Sequence, residues 1–243
     1  MKQAPVFLTG QWKYLAMLNY EIDPGVLAAR VPRGTELDSW QGTTLVSVVG
    51  FLFLETRVLG VKVPFHVRFE EVNLRFYVRR WGEDGWRRGV VFVKEIVPRR
   101  AIALAARVFY NENYAAMPMR HRVELDEAAT GPGVVEYGWR AAGRWNRLRA
   151  VTAGAARPLA DGSEAEFITE HYWGYAAQRD GGTVEYQVEH PRWRVWQAST
   201  CEFDGDARAV YGAEFAAALG AGPRPAFVAL GSEITVRRGV RIA

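Results

Sequence analysis

The feature that most constrains this chain is a period-two alternation of apolar and polar residues. From His66 to Arg80, Phe69, Glu71, Asn73, Arg75 and Tyr77 share one side of an extended strand, while Glu70, Val72, Leu74, Phe76 and Val78 share the other. The second side is apolar enough to face a core. The first sets two charges and an amide between two aromatics, which fits a solvent face or, better, the wall of a polar cavity. Just before it, Thr43–Thr56 is an almost unbroken run of Val, Leu and Phe, as in a strand buried on both faces. Gly60 and the Val63-Pro64 step mark the turn between the two.

Further strands are expected at Gly89–Val97, Met119–Leu125, Val134–Trp139, Thr183–Val188, Arg194–Phe203 and Ala226–Val236. Helical signals are fewer. Asp23 caps a short helix over Pro24–Arg30, with Pro24 at its first position. Ser163 and Glu166 form a capping box for Glu164–Glu170. Ala207–Leu219 reads as one helix closed by Gly220, and Ala101–Arg107 could be helix or strand. Many strands, few short helices and no alternating βαβ rhythm predict an α+β fold, mainly antiparallel β, with a closed or strongly curled sheet. At 243 residues, with no low-complexity linker or repeat, residues 1–243 are expected to form one domain.

Composition narrows the class. Apolar residues make up 49% and charged residues 24%, which excludes wholesale disorder and a collagen-like chain. The apolar runs, such as Ala226–Leu230, fall far short of the ~20 residues a spanning helix needs. The first residues lack the apolar core of a secretory signal, and a lone cysteine, Cys201, can form no internal disulfide; a cytoplasmic protein is expected. Of 31 basic residues only four are lysine, Lys2, Lys13, Lys62 and Lys94. A net charge of +4 spread evenly along the chain reads as a solvated surface, so neither a nucleic-acid nor a membrane partner is expected.

The familiar catalytic signatures are missing: no phosphate loop, no G-x-G-x-x-G after a strand, no G-x-S-x-G and no H-E-x-x-H. Cys201, flanked by Glu202, reads as a packing residue. His171 lies in Phe167–Tyr175, the densest polar-aromatic cluster, beside Glu170 and Tyr172. It could work as an acid or base near neutrality, or pack as a neutral ring. His66, His171 and Glu170 could in principle hold a metal, but the residues call for no metal or cofactor. Glu70, Glu71 and Glu112 lie among aromatics rather than in charge runs; each either pairs with an arginine or has a raised pKa suited to proton transfer.

Several blocks, Asn19-Tyr20, Val31-Pro32 with Leu37-Asp38, Val46–Phe53, Phe69–Tyr77, Arg88–Val97, Tyr110–Met119, Phe167–Tyr175 and Val188–Trp193, resemble family 2071 among the domains of unknown function. The likeness runs from about Gln11 to Ile242. That family is grouped with the acetoacetate decarboxylase-like superfamily, which implies a cone-shaped, mainly antiparallel β-barrel around a small pocket. The superfamily's decarboxylases use a Schiff-base lysine with a second lysine beside it, and an arginine and a glutamate in the same pocket. By this resemblance the pocket arginine falls at Lys13 and the glutamate at Glu71. The segment carrying the lysines is similar to Ala106–Ala115, where its arginine matches Arg107 but the two lysines fall at Tyr114 and Ala115. An ordinary Schiff-base decarboxylation is therefore not expected; Lys94 is the other amine to consider, beside Glu95 in a strand whose neighbours face apart.

The expectation is thus a barrel whose interior takes a small carboxylate or carbonyl compound. Lys13, Arg75, Arg107, Tyr77 and Tyr172 would bind it, and Glu71, Glu112, Tyr114 and His171 would serve a lyase or isomerase without a covalent amine. Two other functions use the same residues. One is a binding or sensing protein without turnover. The other is a homo-oligomer held through aromatic surface such as Tyr172 and Trp173.

Overall fold

A computed structural model describes residues 3–104, 111–128 and 130–243. Seven strands close into a ring: β1 (Val6–Glu21), β3 (Leu45–Val58), β4 (Phe69–Gly82), β5 (Gly85–Val97), β10 (Trp173–Ala177), β11 (Thr183–Glu189) and β13 (Phe227–Arg237). The order is β11-β10-β5-β4-β3-β1-β13, and Val188↔Val236 with Glu189↔Thr235 joins the ends. Neighbours are antiparallel except β5 and β10, which run parallel. Two further strands ride on the ring, β2 (Glu36–Leu37) on β4 and β6 (Tyr114–Ala116) on β5. From β13 the sheet continues through β12 (Arg194–Asp204), β9 (Arg144–Pro158), β8 (Val134–Ala141) and β7 (Met119–Glu124), while β14 (Val240–Arg241) extends β11.

Alternation gives the barrel wall two faces. Leu15, Met17, Val49, Phe51, Phe53, Phe69 and Tyr77 meet Phe167, Ile168 and Trp193 inside the ring. Leu18, Val46, Val48, Val72, Leu74 and Phe76 point out, where Tyr137, Trp139 and Leu148 of the second layer cover them with Val210, Tyr211 and Phe215 from the C-terminal helices. The two layers touch closely at Gly50, where a Cβ would stand 2.6 Å from the Tyr137 ring. Full burial of both faces accounts for the unbroken apolar run in β3.

The helix signals resolve largely as read. Asp23 accepts from the Gly25 amide at 2.7 Å and starts Pro24–Leu27, followed by a 3₁₀ turn at Ala28–Arg30. Ser163 caps Glu164–Thr169. The chain at 100–104 is helical; Arg107 lies outside the described residues. One reading needs correction: Ala207–Leu219 is two helices, Ala207–Tyr211 and Ala213–Gly220. Gly212, at φ 115°, breaks it with a backbone only glycine adopts readily. Among the described residues no helix is long and apolar enough to cross a membrane.

Candidate functional site

The inner face of β4 carries Glu71, Asn73, Arg75 and Tyr77 into the ring between Phe69 and the helix Glu164–Thr169. Across from it, β5 contains a bulge: Leu74 pairs with Lys94 but Arg75 with Phe92, leaving Val93 as the extra residue. The bulge reverses the parity of β5, so that Phe92 and Glu95, three positions apart, both face inward. Glu95 stands directly beside Asn73. On its other edge Glu95 pairs with Tyr114 of β6.

Strands β5 and β10 pair only at Trp173↔Gly89 and Gly174↔Val90, and then part. Residues 111–113 fill that gap in the wall. Asn113 Nδ2 donates to the Val93 carbonyl and Asn111 Nδ2 to that of Ala177, both at 2.8 Å. Glu112 is thereby turned inward, where the Tyr186 hydroxyl donates to its Oε1 at 2.9 Å. The Tyr186 ring needs Gly174 across from it, where a Cβ would come within 2.1 Å of Cζ. On the outer side, a cleft of about 230 Å³ lined by Ala29, Arg30, Asn111, Asn113 and Ala177 reaches Glu112.

The result is a group of buried carboxyls. Asn73 Nδ2 and the Tyr114 hydroxyl each donate to Glu71 at 3.1 Å, and Tyr114 also hydrogen-bonds Glu95. Burial pushes the Glu71 pKa up to about 7 against the pull of these donors and of Arg75. Burial raises Glu112 to about 8, with the Glu71 charge adding to it. Glu95 is held well above the ordinary range by burial and by both neighbouring carboxylates. Protons are shared over the group, which titrates as a unit.

Arg75 lies next along the strand. Its Nη2 donates to the Ile168 carbonyl at 3.0 Å, its guanidinium stands over the Tyr77 ring at 5.6 Å, and its buried Nε has no partner. Beyond it, the Tyr77 hydroxyl and Ser47 Oγ are 2.6 Å apart, and Ser47 donates to Asn19 at the same distance. His171 packs on Tyr77 with ring centroids 4.7 Å apart. Neither ring nitrogen has a hydrogen bond, and Nε2 is 3.8 Å from Asp38, whose carboxylate takes a 2.7 Å bond from Arg88. Burial lowers the His171 pKa to about 4, so the ring is neutral at pH 7. Tyr172 donates to Glu170 and packs against His190, which stacks on Trp193; Trp193 in turn meets Trp12 and through it Phe51 and Phe53.

Of the residues read from sequence, Glu71, Glu112, Tyr114, Arg75, Tyr77 and His171 are brought to the inner face, and Tyr172 joins it through the aromatic chain. Lys13 is placed elsewhere. A bulge with Tyr14 at φ 56° leaves Trp12 and Leu15 pointing in, so Lys13 and Tyr14 both point out and both reach Glu127, at 3.4 and 3.3 Å. Lys94 donates to the Val210 carbonyl on the outer face and Lys62 pairs with exposed Glu55. Among the described residues no lysine amine enters the ring. Glu170 bonds Tyr172, His66 bonds the Pro64 carbonyl, and neither joins His171; no three metal-ligating side chains of the described residues stand around one point. Two inner residues, Glu95 and Tyr186, escape a reading by alternation. The adjacent charges Lys94 and Glu95 in the apolar run Val90–Val97 and the small residue in Trp173-Gly174-Tyr175 are the traces they leave in the sequence.

Residues 9–233 match domain-of-unknown-function family 2071, described as an uncharacterised conserved protein. The uncharacterised protein YqjF of Bacillus subtilis (strain 168) is 27% identical over 195 residues, covering 77% of this chain and 74% of its own. Among solved structures, the enduracididine biosynthesis enzyme MppR complexed with pyruvate superposes with a TM-score of 0.68 at 12% identity, over 100% of this chain and 92% of that one. An acetoacetate decarboxylase-like enzyme from Sphingomonas wittichii RW1 gives 0.67 at 14%, over 97% and 92%. At such identities the likeness carries the fold, the acetoacetate decarboxylase-like barrel, and none of the chemistry.

Proposed function

The chain belongs to domain-of-unknown-function family 2071, and from that footing we propose that the barrel interior takes a small carboxylate-bearing carbonyl compound, with Arg75 holding the anion and Glu71 moving a proton. The observation that carries this reading is the meeting on one strand face of a guanidinium with a buried, unpartnered Nε and a carboxyl whose pKa is about 7. A desolvated guanidinium is a strong carboxylate ligand, and a carboxyl poised near neutrality is the right strength for general acid–base work. The pyruvate held by MppR on the same fold supports the substrate class.

In this scheme the ionised Glu71 removes a proton from the carbon next to the carbonyl. The C–H bond breaks, its electron pair moves onto the carbonyl oxygen as an enolate, and the charge of Arg75 stabilises it. Return of a proton to another atom gives an isomerase, and loss of a leaving group gives a lyase. No covalent amine takes part, in keeping with the positions of Lys13, Lys62 and Lys94.

Calorimetry with pyruvate and 2-oxobutyrate, combined with proton NMR of deuterium exchange at the carbon beside the carbonyl, tests it. Arg75→Gln should weaken binding at least tenfold, while Glu71→Gln should bind and no longer exchange. Saturable binding with no exchange in the unaltered protein would favour a sensing role instead. Absence of binding by any 2-keto acid, or unchanged affinity in Arg75→Gln, would overturn the reading.

A further inference from the structure

Asn73 and Glu95 stand side by side across β4 and β5, each only 2% exposed. Each presents to the interior one oxygen without a hydrogen bond, Asn73 Oδ1 and Glu95 Oε2. Their remaining groups are committed: Asn73 Nδ2 to Glu71, and the Glu95 carboxyl to Tyr114. Buried polar atoms are nearly always paired, because an unmet one costs about 1–3 kcal/mol. Two unmet oxygens on neighbouring residues of the inner face, next to the two residues proposed above to take substrate, call for a group that fits both.

Building on the function proposed above, we infer that Asn73 and Glu95 form a hydroxyl subsite, and that the preferred substrate is a hydroxylated 2-keto acid. A hydroxyl has one hydrogen to give and lone pairs to accept with. It can donate to Asn73 Oδ1 and accept from Glu95 Oε2, the oxygen on which the acid then carries its one proton while its other oxygen shares the Tyr114 hydroxyl hydrogen with Glu71; burial beside two other carboxyls keeps Glu95 protonated. An ammonium group suits the pair less well, since neither partner offers it a charge.

The subsite predicts a preference that can be read directly. Calorimetry should show 3-hydroxypyruvate binding about tenfold more tightly than pyruvate, the size of one net hydrogen bond. 4-Hydroxy-2-oxobutyrate should lead 2-oxobutyrate in the same way. Asn73→Leu should erase the preference, while Glu95→Gln, which still offers a neutral donor and acceptor, should keep it. Equal affinities within either pair in the unaltered protein would overturn the subsite while leaving the keto-acid reading intact, water then meeting both oxygens. A preference that survives Asn73→Leu, or one lost in Glu95→Gln, would overturn it as well. Should none of the four acids bind, the proposed function falls and the subsite with it. If Asn73→Leu does not fold, the comparison in the unaltered protein and in Glu95→Gln decides alone.

Discussion

Two buried carboxyls on opposite faces of the barrel wall are treated in opposite ways. Glu185 of β11, on the outer face, is 5% exposed and takes Arg87 at 2.6 Å and Arg80 at 3.1 Å. Glu95 of β5, on the inner face, is 2% exposed and has Asn73, Tyr114 and two other carboxyls for company. Burial is the same; the partners differ. A carboxylate between two guanidiniums pins β11 to the β4–β5 hairpin. A carboxyl denied a cation keeps its proton and can exchange it. Buried charge pairs hold structure at a heavy cost if halved, whereas clusters with displaced pKa values mark chemistry. The outer cluster is thus read as structural and the inner one as functional.

The sharpest way to break this contrast is to remove each carboxyl in turn. Glu185→Ala leaves two half-buried arginines without their counter-charge and should lower the unfolding free energy by about 3 kcal/mol in urea. Glu95→Gln replaces a neutral acid by a neutral amide and should change it by less than about 1 kcal/mol. Equal losses would mean that both clusters are structural.

pH separates the same two regions less strongly. Glu71 and Glu112 rise from 4.5 to about 7 and about 8 in the folded chain. Between pH 5 and 8 the folded chain therefore holds protons that the unfolded chain has released, and stability falls as pH rises, by at most about 1.4 kcal/mol per pH unit for each group. His171 works on the acid side. Its pKa falls from 6.5 to about 4, so the unfolded chain takes up the extra proton and stability falls as pH drops through that window. Where the windows overlap the two carboxyls outweigh the one histidine, so urea unfolding from pH 4 to 9 should show stability falling between about pH 5 and 8, and Glu112→Gln should make this alkaline limb shallower. An unchanged alkaline limb would show that Glu112 is ionised like any surface carboxylate.

Much of this was legible from the alternation of β4, whose inner residues Glu71, Asn73, Arg75 and Tyr77 were read as one face. The caps at Asp23 and Ser163 were equally plain, because each is a local bond between a side chain and a nearby amide. What escaped depends on register. A pattern of period two carries no mark of an extra residue, so the bulge at Val93 hid Glu95 and the one at Tyr14 turned Lys13 outward. β9 was missed because arginines alternate along its exposed side and soften the apolar signal. The gap between β5 and β10, which turns Glu112 inward, is a matter of long-range pairing that no local pattern encodes.

Lys13 offers the smallest effect and a strict check on which side of the wall binds ligand. The resemblance to the decarboxylases leads one to expect a pocket cation there, whereas the bulge sends the Lys13 side chain to Glu127 on the outer face. The two readings differ in what Lys13→Ala should do. From the outer face, the change removes a half-exposed ion pair of 3.4 Å, costs less than about 1 kcal/mol in urea, and leaves 2-keto acid affinity within twofold. From inside, it would cost affinity as Arg75→Gln does. Borohydride reduction in the presence of pyruvate completes the comparison: with Lys13 and Lys94 both on the outer face, mass spectrometry should find no adduct on either. An adduct at Lys94 would require β5 to lose its bulge, which would turn Glu95 out of the ring and dissolve the inner cluster altogether.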